Sequence, residues 1–139
     1  MLPALWAGVL LCIAALAAPA AFGALPMADA GRVVSRIFVR EAWLSLALGG
    51  VLLALTRRQD PIDSSSLRTE RVLLWGTIGC TLLGYFALQP LMAAARAGHG
   101  VLGFGALHLI SAVFYGLKTA LVSWLAWRAA ADLSRPPSS

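Results

Sequence analysis

Four long runs without a charged side chain are the feature that most constrains this chain of 139 residues. They cover residues 1–28, 42–56, 72–95 and 97–117. A helix rises 1.5 Å per residue, so about 20 apolar residues cross roughly 30 Å of hydrocarbon. The runs lack the ten-residue alternation that is typical of membrane strands. They therefore predict four transmembrane helices.

The composition excludes the other classes of chain. Apolar residues make up 60% of the sequence and charged residues 12%, against roughly 45–50% and 25% in soluble domains. These values rule out a soluble domain, a disordered chain, a coiled coil and a disulfide-stapled module. The expected fold class is an all-α integral membrane protein, an antiparallel four-transmembrane-helix bundle. Its expected partner is the lipid bilayer, and we attribute the net charge of +5 to topology and anionic lipid rather than to nucleic acid.

The runs also predict the extent of each helix. We expect one membrane domain over residues 1–133, with helices at about 2–26, 33–57, 69–96 and 100–131, and a disordered tail at 134–139. The second run has only 15 residues, too few to span. Its helix must begin earlier, which places Arg36, Arg40 and Glu41 at or just inside one membrane face. No Lys or Arg precedes the first run, so we expect a retained helix rather than a signal peptide.

The arginines predict the orientation. With the N-terminus inside, the inner segments hold six arginines and the outer segments four. The positive-inside rule then places both termini in the cytoplasm. The five tryptophans lie near the predicted span ends and are interpreted as interfacial anchors. A stripe of small side chains on the first helix is interpreted as a packing seam; it comprises Gly8, Cys12, Ala15 and Pro19.

Polar side chains recur at helical spacing on three of the predicted helices. The second helix carries Arg32, Arg36, Arg40 and the adjoining Glu41; the third carries Tyr85, Gln89, Met92 and Arg96; the fourth carries His108, Ser111, Tyr115 and Lys118. Because polar groups in hydrocarbon are costly, we expect these stripes to face one another in a polar pocket in the outer half of the bundle. That pocket would bring Arg36 or Arg40, with Glu41 as counter-ion, to Gln89, Met92 and His108. We expect Lys118 to bond Tyr115 or to extend toward the inner interface.

The chemistry of this pocket remains open at the level of sequence. It is either a cavity for an anion, a metal or a proton path, or a hydrogen-bond network that only fixes the bundle. The sequence has no phosphate loop, HExxH, GxSxG or carboxylate pair, so we expect no enzyme, no catalytic residues and no cofactor. The candidate ligands for a soft metal are His108, Met92 and His99.

Several short motifs resemble those of one family of bacterial membrane proteins. They are LWAG at residues 5–8, AP at 18–19, AGRVVSRIF at 30–38, QPLM at 89–92 and FGxLHxxSxxxYxLK at 104–118. The chain resembles the four-helix family known as domain of unknown function 4149, which is similar to the eukaryotic transmembrane protein 205. The resemblance implies export or trafficking of a soft metal or an amphiphile, because the eukaryotic relative is associated with resistance to platinum drugs. It also implies that His108, Ser111, Tyr115 and Lys118 form the family's polar stripe.

Three functions remain to be weighed. The first is transport or efflux of a small solute or soft metal, with a path that forms between copies of the chain. The second is a non-enzymatic accessory or assembly subunit of a larger membrane complex. The third is a metal- or haem-handling membrane protein. Homo-oligomers are compatible with the first, and a coloured or metal-loaded purified sample would favour the third.

Overall fold

Four long helices form the protein in a computed structural model that describes residues 1–57, 64–99 and 103–133. The first, α1, comprises Leu2–Cys12, Ile13–Ala17 and Ala18–Ala24. The second, α2, is Met27–Arg57. The third, α3, comprises Ser64–Thr81, Leu82–Ala87 and Leu88–Arg96, and the fourth, α4, is Phe104–Leu133. All four are long and apolar enough to cross a membrane, so the predicted fold class is confirmed.

The charged segment before the second apolar run is part of the helix, as its length required. α2 begins at Met27, six residues before the predicted start, and contains Arg36, Arg40 and Glu41. α3 begins at Ser64 and α4 at Phe104, five residues earlier and four residues later than predicted. The predicted tail at 134–139 lies outside the described residues.

Short connections hold neighbouring helices antiparallel. Leu25 is extended, as the residue before Pro26 is expected to be, and the carbonyl of Pro26 accepts the first amides of the next helix. After α3, Gly98 adopts a φ of 79°, a conformation that costs glycine little. The amide of His99 then donates to the carbonyl of Ala94 at 3.0 Å, which closes the helix end in a Schellman motif.

Two wide π-type turns interrupt the helices, and each precedes a proline. Ile13–Ala17 lies before Pro19, and Leu82–Ala87 lies before Pro90. A proline ring clashes with the carbonyl four residues earlier, which falls inside each wide turn. The wide turns therefore accommodate the two prolines without ending either helix.

The helices pack in chain order around a closed ring. α1 contacts α2, α2 contacts α3, α3 contacts α4, and α4 closes the ring against α1. Consequently α2 and α4 face each other across a diagonal of the bundle. The apolar core near one end comprises Trp6, Ala7, Leu10, Leu53, Leu74, Val122 and Leu125.

Candidate functional site

A buried ion pair joins α2 to α4 across the diagonal of the bundle. The ammonium of Lys118 donates to both carboxylate oxygens of Glu41, at 2.8 and 2.7 Å. Each residue is only 4% exposed. Glu41 lies near the middle of the span Met27–Thr56, and Lys118 lies near the middle of Gly105–Ala131. Two opposite charges therefore meet on the bundle axis, within the membrane-spanning helices.

Two further side chains complete the surroundings of the carboxylate. The hydroxyl of Ser45, one helical turn after Glu41, donates to its Oε1 atom. The same hydroxyl accepts a hydrogen bond of 3.0 Å from the indole Nε1 of Trp6. Trp6 is 1% exposed, so α1 also contributes to the network. The interpretation of Trp6 as an interfacial anchor is wrong, because its indole is buried in the core.

The aromatic ring of Tyr115 also lies next to the ammonium. The Nζ atom of Lys118 lies 4.9 Å from the ring centroid of Tyr115, within the range of a cation–π interaction. The edge of that ring meets Phe38 at 5.1 Å between centroids. The Tyr115 hydroxyl donates to the carbonyl of Leu10 at 2.8 Å. The expectation that Lys118 bonds Tyr115 or extends toward the interface is corrected: its ammonium bonds Glu41 and lies over the Tyr115 ring.

We call Trp6, Glu41, Ser45, Tyr115 and Lys118 the axial cluster. The five hydrogen bonds that hold it involve only α1, α2 and α4. Burying charges is expensive, and a buried pair contributes little net stability compared with apolar side chains of similar volume. Ionisable side chains inside membrane spans are rare and usually mark a functional site. The axial cluster is therefore the candidate functional site of this protein.

α4 also donates a hydrogen bond to each interrupted helix, in or just before its wide turn. The hydroxyl of Ser111 donates to the carbonyl of Gly84 at 3.1 Å, inside the wide turn of α3. Tyr115, one turn further along, bonds the carbonyl of Leu10 just before the wide turn of α1. Gly84 permits this approach because an added Cβ would lie 2.6 Å from the Cβ of Phe114. The predicted stripe of α4 is thus divided between a charge pair and two backbone contacts.

The arginines of α2 do not enter the bundle. Arg36 and Arg40 are exposed, whereas Glu41 is buried. Consecutive residues are about 100° apart around a helix, so Arg40 and Glu41 face different surroundings. The expectation that Glu41 neutralises Arg40 is therefore wrong. Arg32, at the start of the stripe, pairs with Asp29 instead.

The other residues proposed for the pocket lie apart from the axial cluster. Met92 is buried in an apolar cluster with Leu88 and Leu107, and Gln89 is half-buried. His108 is exposed because it lies about 80° around α4 from Lys118. His99 is exposed, and the side chain of Arg96 lies outside the described residues. The structure does not gather Arg36, Arg40, Gln89, Met92 and His108 into one pocket.

Metal-ligating side chains are likewise dispersed. Within 1–57, 64–99 and 103–133, no three His, Cys, Asp or Glu side chains lie close enough to hold a metal ion. The thioether of Met92 is enclosed by apolar neighbours.

The sequence interpretation missed two members of the axial cluster, Trp6 and Ser45. A signal for Ser45 was present, because it follows Glu41 by four residues and so lies on the same face of α2. Ala30 and Ala42, both fully buried, mark the packed side of that helix. For Trp6 no local pattern distinguishes a buried indole from an interfacial one.

Comparison with known proteins gives one match. The model of a family described as "Domain of unknown function (DUF4149)" matches residues 1–100. No curated protein matches the chain, and no solved structure matches it.

Proposed function

This protein belongs to the DUF4149 family, and from that premise we propose that it transports a small amphiphilic cation and that the Glu41–Lys118 pair is its gate. The observation that carries the proposal is the position of the pair. It joins helices on opposite corners of the bundle, between two membrane-spanning segments, where a path along the axis would have to pass.

The surroundings of the Lys118 ammonium indicate the class of solute. A carboxylate and the Tyr115 ring both lie next to it, a combination that binds organic cations in proteins. The Lys118 ammonium fills the place of such a cation and is covalently attached to α4. A solute carrying its own positive charge can replace the ammonium beside Glu41 without leaving the carboxylate unpaired, which lowers the cost of opening. No bond is made or broken, so the proposed role is non-enzymatic.

Uptake of ethidium, an organic cation that crosses protein-free bilayers slowly, into proteoliposomes tests this proposal. The informative variant is Glu41→Leu with Lys118→Met, which removes both charges and is expected to keep the fold because apolar pairs of similar size replace buried ion pairs well. Its matched control is Asp29→Asn with Arg32→Gln, which removes an exposed pair near the start of α2. We expect uptake by the wild type and the control, and uptake reduced to the level of empty liposomes in the axial variant. Equal uptake by both variants, or none by the wild type, contradicts the proposal.

We place the protein in a bacterial inner membrane with both termini in the cytoplasm, on the six-to-four distribution of arginines. Reporter fusions at position 139 and between positions 60 and 66 are expected to give cytoplasmic signals. A periplasmic signal at either position contradicts this orientation.

A second candidate function is that of an accessory subunit in a homo-oligomer or larger membrane complex. The small stripe of α1, predicted as a packing seam, is exposed along its length; it comprises Gly8, Cys12, Ala15 and Pro19. A Cβ added at Gly8 would meet nothing within 4 Å. Small residues let membrane helices approach closely, so this open face supports docking. Native mass spectrometry of the mildly solubilised protein tests it: a complex that Gly8→Leu dissociates favours this role, and a monomer argues against it.

A further inference from the structure

We propose that the outward face of α2 formed by Arg36, Arg40 and Trp43 binds the headgroup of an anionic phospholipid. This proposal is independent of the transport proposal, because these residues lie on the side of α2 away from the axial cluster. Arg36 and Arg40 are exposed, and Trp43 is 61% exposed. We call these three residues the arginine face.

The three side chains share one side of the helix. At about 100° per residue, Arg36, Trp43 and Arg40 fall within roughly 60° of one another. Glu41 and Ser45 lie on the opposite, buried side. The ring of Trp43 is held edge-on against Phe86 of α3, with 5.4 Å between centroids. The arginine face is therefore a fixed feature of the outer surface of the bundle.

Neither guanidinium has a partner among residues 1–57, 64–99 and 103–133. Across the described ranges of the chain, Arg36 and Arg40 make no hydrogen bond or ion pair. Asp29, the acidic side chain near the start of α2, is already paired with Arg32. Two unneutralised cations on the outside of a membrane helix require a counter-ion from the surroundings.

Depth identifies the headgroup region as the source of that counter-ion. α2 has 31 residues and is about 46 Å long, which exceeds roughly 30 Å of hydrocarbon. We place the inner boundary of the hydrocarbon at Thr56, the end of the span, and twenty residues counted back from it reach position 37. Arg36 then lies at the hydrocarbon boundary, and Arg40 one turn inside it. Helical side chains lean toward the N-terminus, so Arg40 extends toward the same boundary.

The chemistry of the face selects an anionic lipid. Guanidinium groups form paired, charge-assisted hydrogen bonds with phosphate oxygens, and an interfacial tryptophan packs beside headgroups. A second copy of the chain presenting the same face would bring like charges together. A phospholipid with net negative charge satisfies both arginines, while its acyl chains cover the apolar surface that continues beyond Trp43.

Lipid binding by the purified full-length protein tests the proposal. The variant is Arg36→Gln with Arg40→Gln, and the control is Arg68→Gln with Arg71→Gln, which removes two arginines near the start of α3 together with the hydrogen bond of 3.0 Å from Arg71 to the carbonyl of Thr56. Native mass spectrometry with phosphatidylglycerol is expected to show about thirtyfold weaker binding to the variant, from roughly 1 kcal/mol per arginine. We expect the control to bind phosphatidylglycerol as tightly as the wild type does. We expect neither the wild type nor the control to bind phosphatidylcholine more tightly than phosphatidylglycerol.

Two results would overturn the proposal. One is equal loss of phosphatidylglycerol binding in the variant and the control, which would mean binding by net charge alone. The other is the product of photocrosslinking in native membranes, with a photoreactive residue in place of Trp43. A crosslink to phospholipid supports the proposal, whereas a crosslink to an acidic membrane protein or to a second copy of the chain contradicts it.

Discussion

Removing one partner of the axial pair is expected to destabilise the protein far more than removing both. Lys118→Met leaves the Glu41 carboxylate buried without its ammonium, and Glu41→Leu leaves the ammonium buried without its carboxylate. The side chains of Lys118 and Glu41 are 5% and 3% exposed, so water does not screen either charge. Breaking such a pair costs about 3–5 kcal/mol, whereas replacing both members with apolar side chains is close to neutral or stabilising.

The double-mutant cycle should therefore give a coupling free energy of at least about 3 kcal/mol between the two positions. The free energy of unfolding is measured from midpoints in mixed micelles with increasing dodecyl sulfate, followed by circular dichroism and tryptophan fluorescence. The control is Asp29→Asn, whose partner Arg32 is 75% exposed; its loss should cost less than about 1 kcal/mol. Single variants within about 1 kcal/mol of the wild type, with additive effects, would refute the reasoning that this pair is isolated from water.

Three further substitutions, one of them with a control substitution, test the packing and hydrogen bonds in and near the axial cluster by the same unfolding measurement. Gly84→Ala is expected to cost about 1–3 kcal/mol because its Cβ would lie 2.6 Å from that of Phe114, while Gly79→Ala, which meets nothing within 4 Å, should change stability by less than about 1 kcal/mol. Tyr115→Phe should cost about 1 kcal/mol through loss of its hydroxyl hydrogen bond, and an unchanged midpoint would mean that this bond contributes nothing. Ser45→Ala should cost about 1–3 kcal/mol by leaving a buried indole donor unpaired; a neutral result would imply that water replaces the hydroxyl.

The sequence predicts the helices well because a helix that crosses the hydrocarbon needs a minimum length. This minimum applies even where charged residues interrupt the apolar run. The start of α2 shows this, since an apolar run of 15 residues was too short and the helix had to include the arginines. The site was predicted less well because a stripe of polar residues does not reveal which side of a helix faces its neighbours. Arg40 and Glu41 are adjacent in sequence, yet one is exposed and the other buried.

Lys118 illustrates the same limit at longer range. Its spacing from Tyr115 and Ser111 places it on a polar stripe of α4, but its partner lies 77 residues away on a helix across the diagonal. Helical spacing orders residues within one helix and contains no information about the rotation of another. The position of Trp6 was misjudged for the same reason, since burial of its indole depends on the serine that α2 presents to it.

The wide turn of α1 has a consequence for how chains of this type can be aligned and altered. A π-type turn holds one residue more than a regular helical turn, so it behaves as an insertion absorbed within a continuous helix. Deleting one residue from Ile13–Ala17 would convert the wide turn into a regular helical turn and would leave the residues before it in nearly the same orientation relative to Ala18–Ala24. The indole of Trp6 would still face Ser45. Deleting a residue between Trp6 and the wide turn would instead rotate the indole by about 100°, away from Ser45 and toward the acyl chains. An alignment of homologues should therefore place a one-residue gap within Ile13–Ala17, because a gap elsewhere before the proline would pair residues from different sides of the helix.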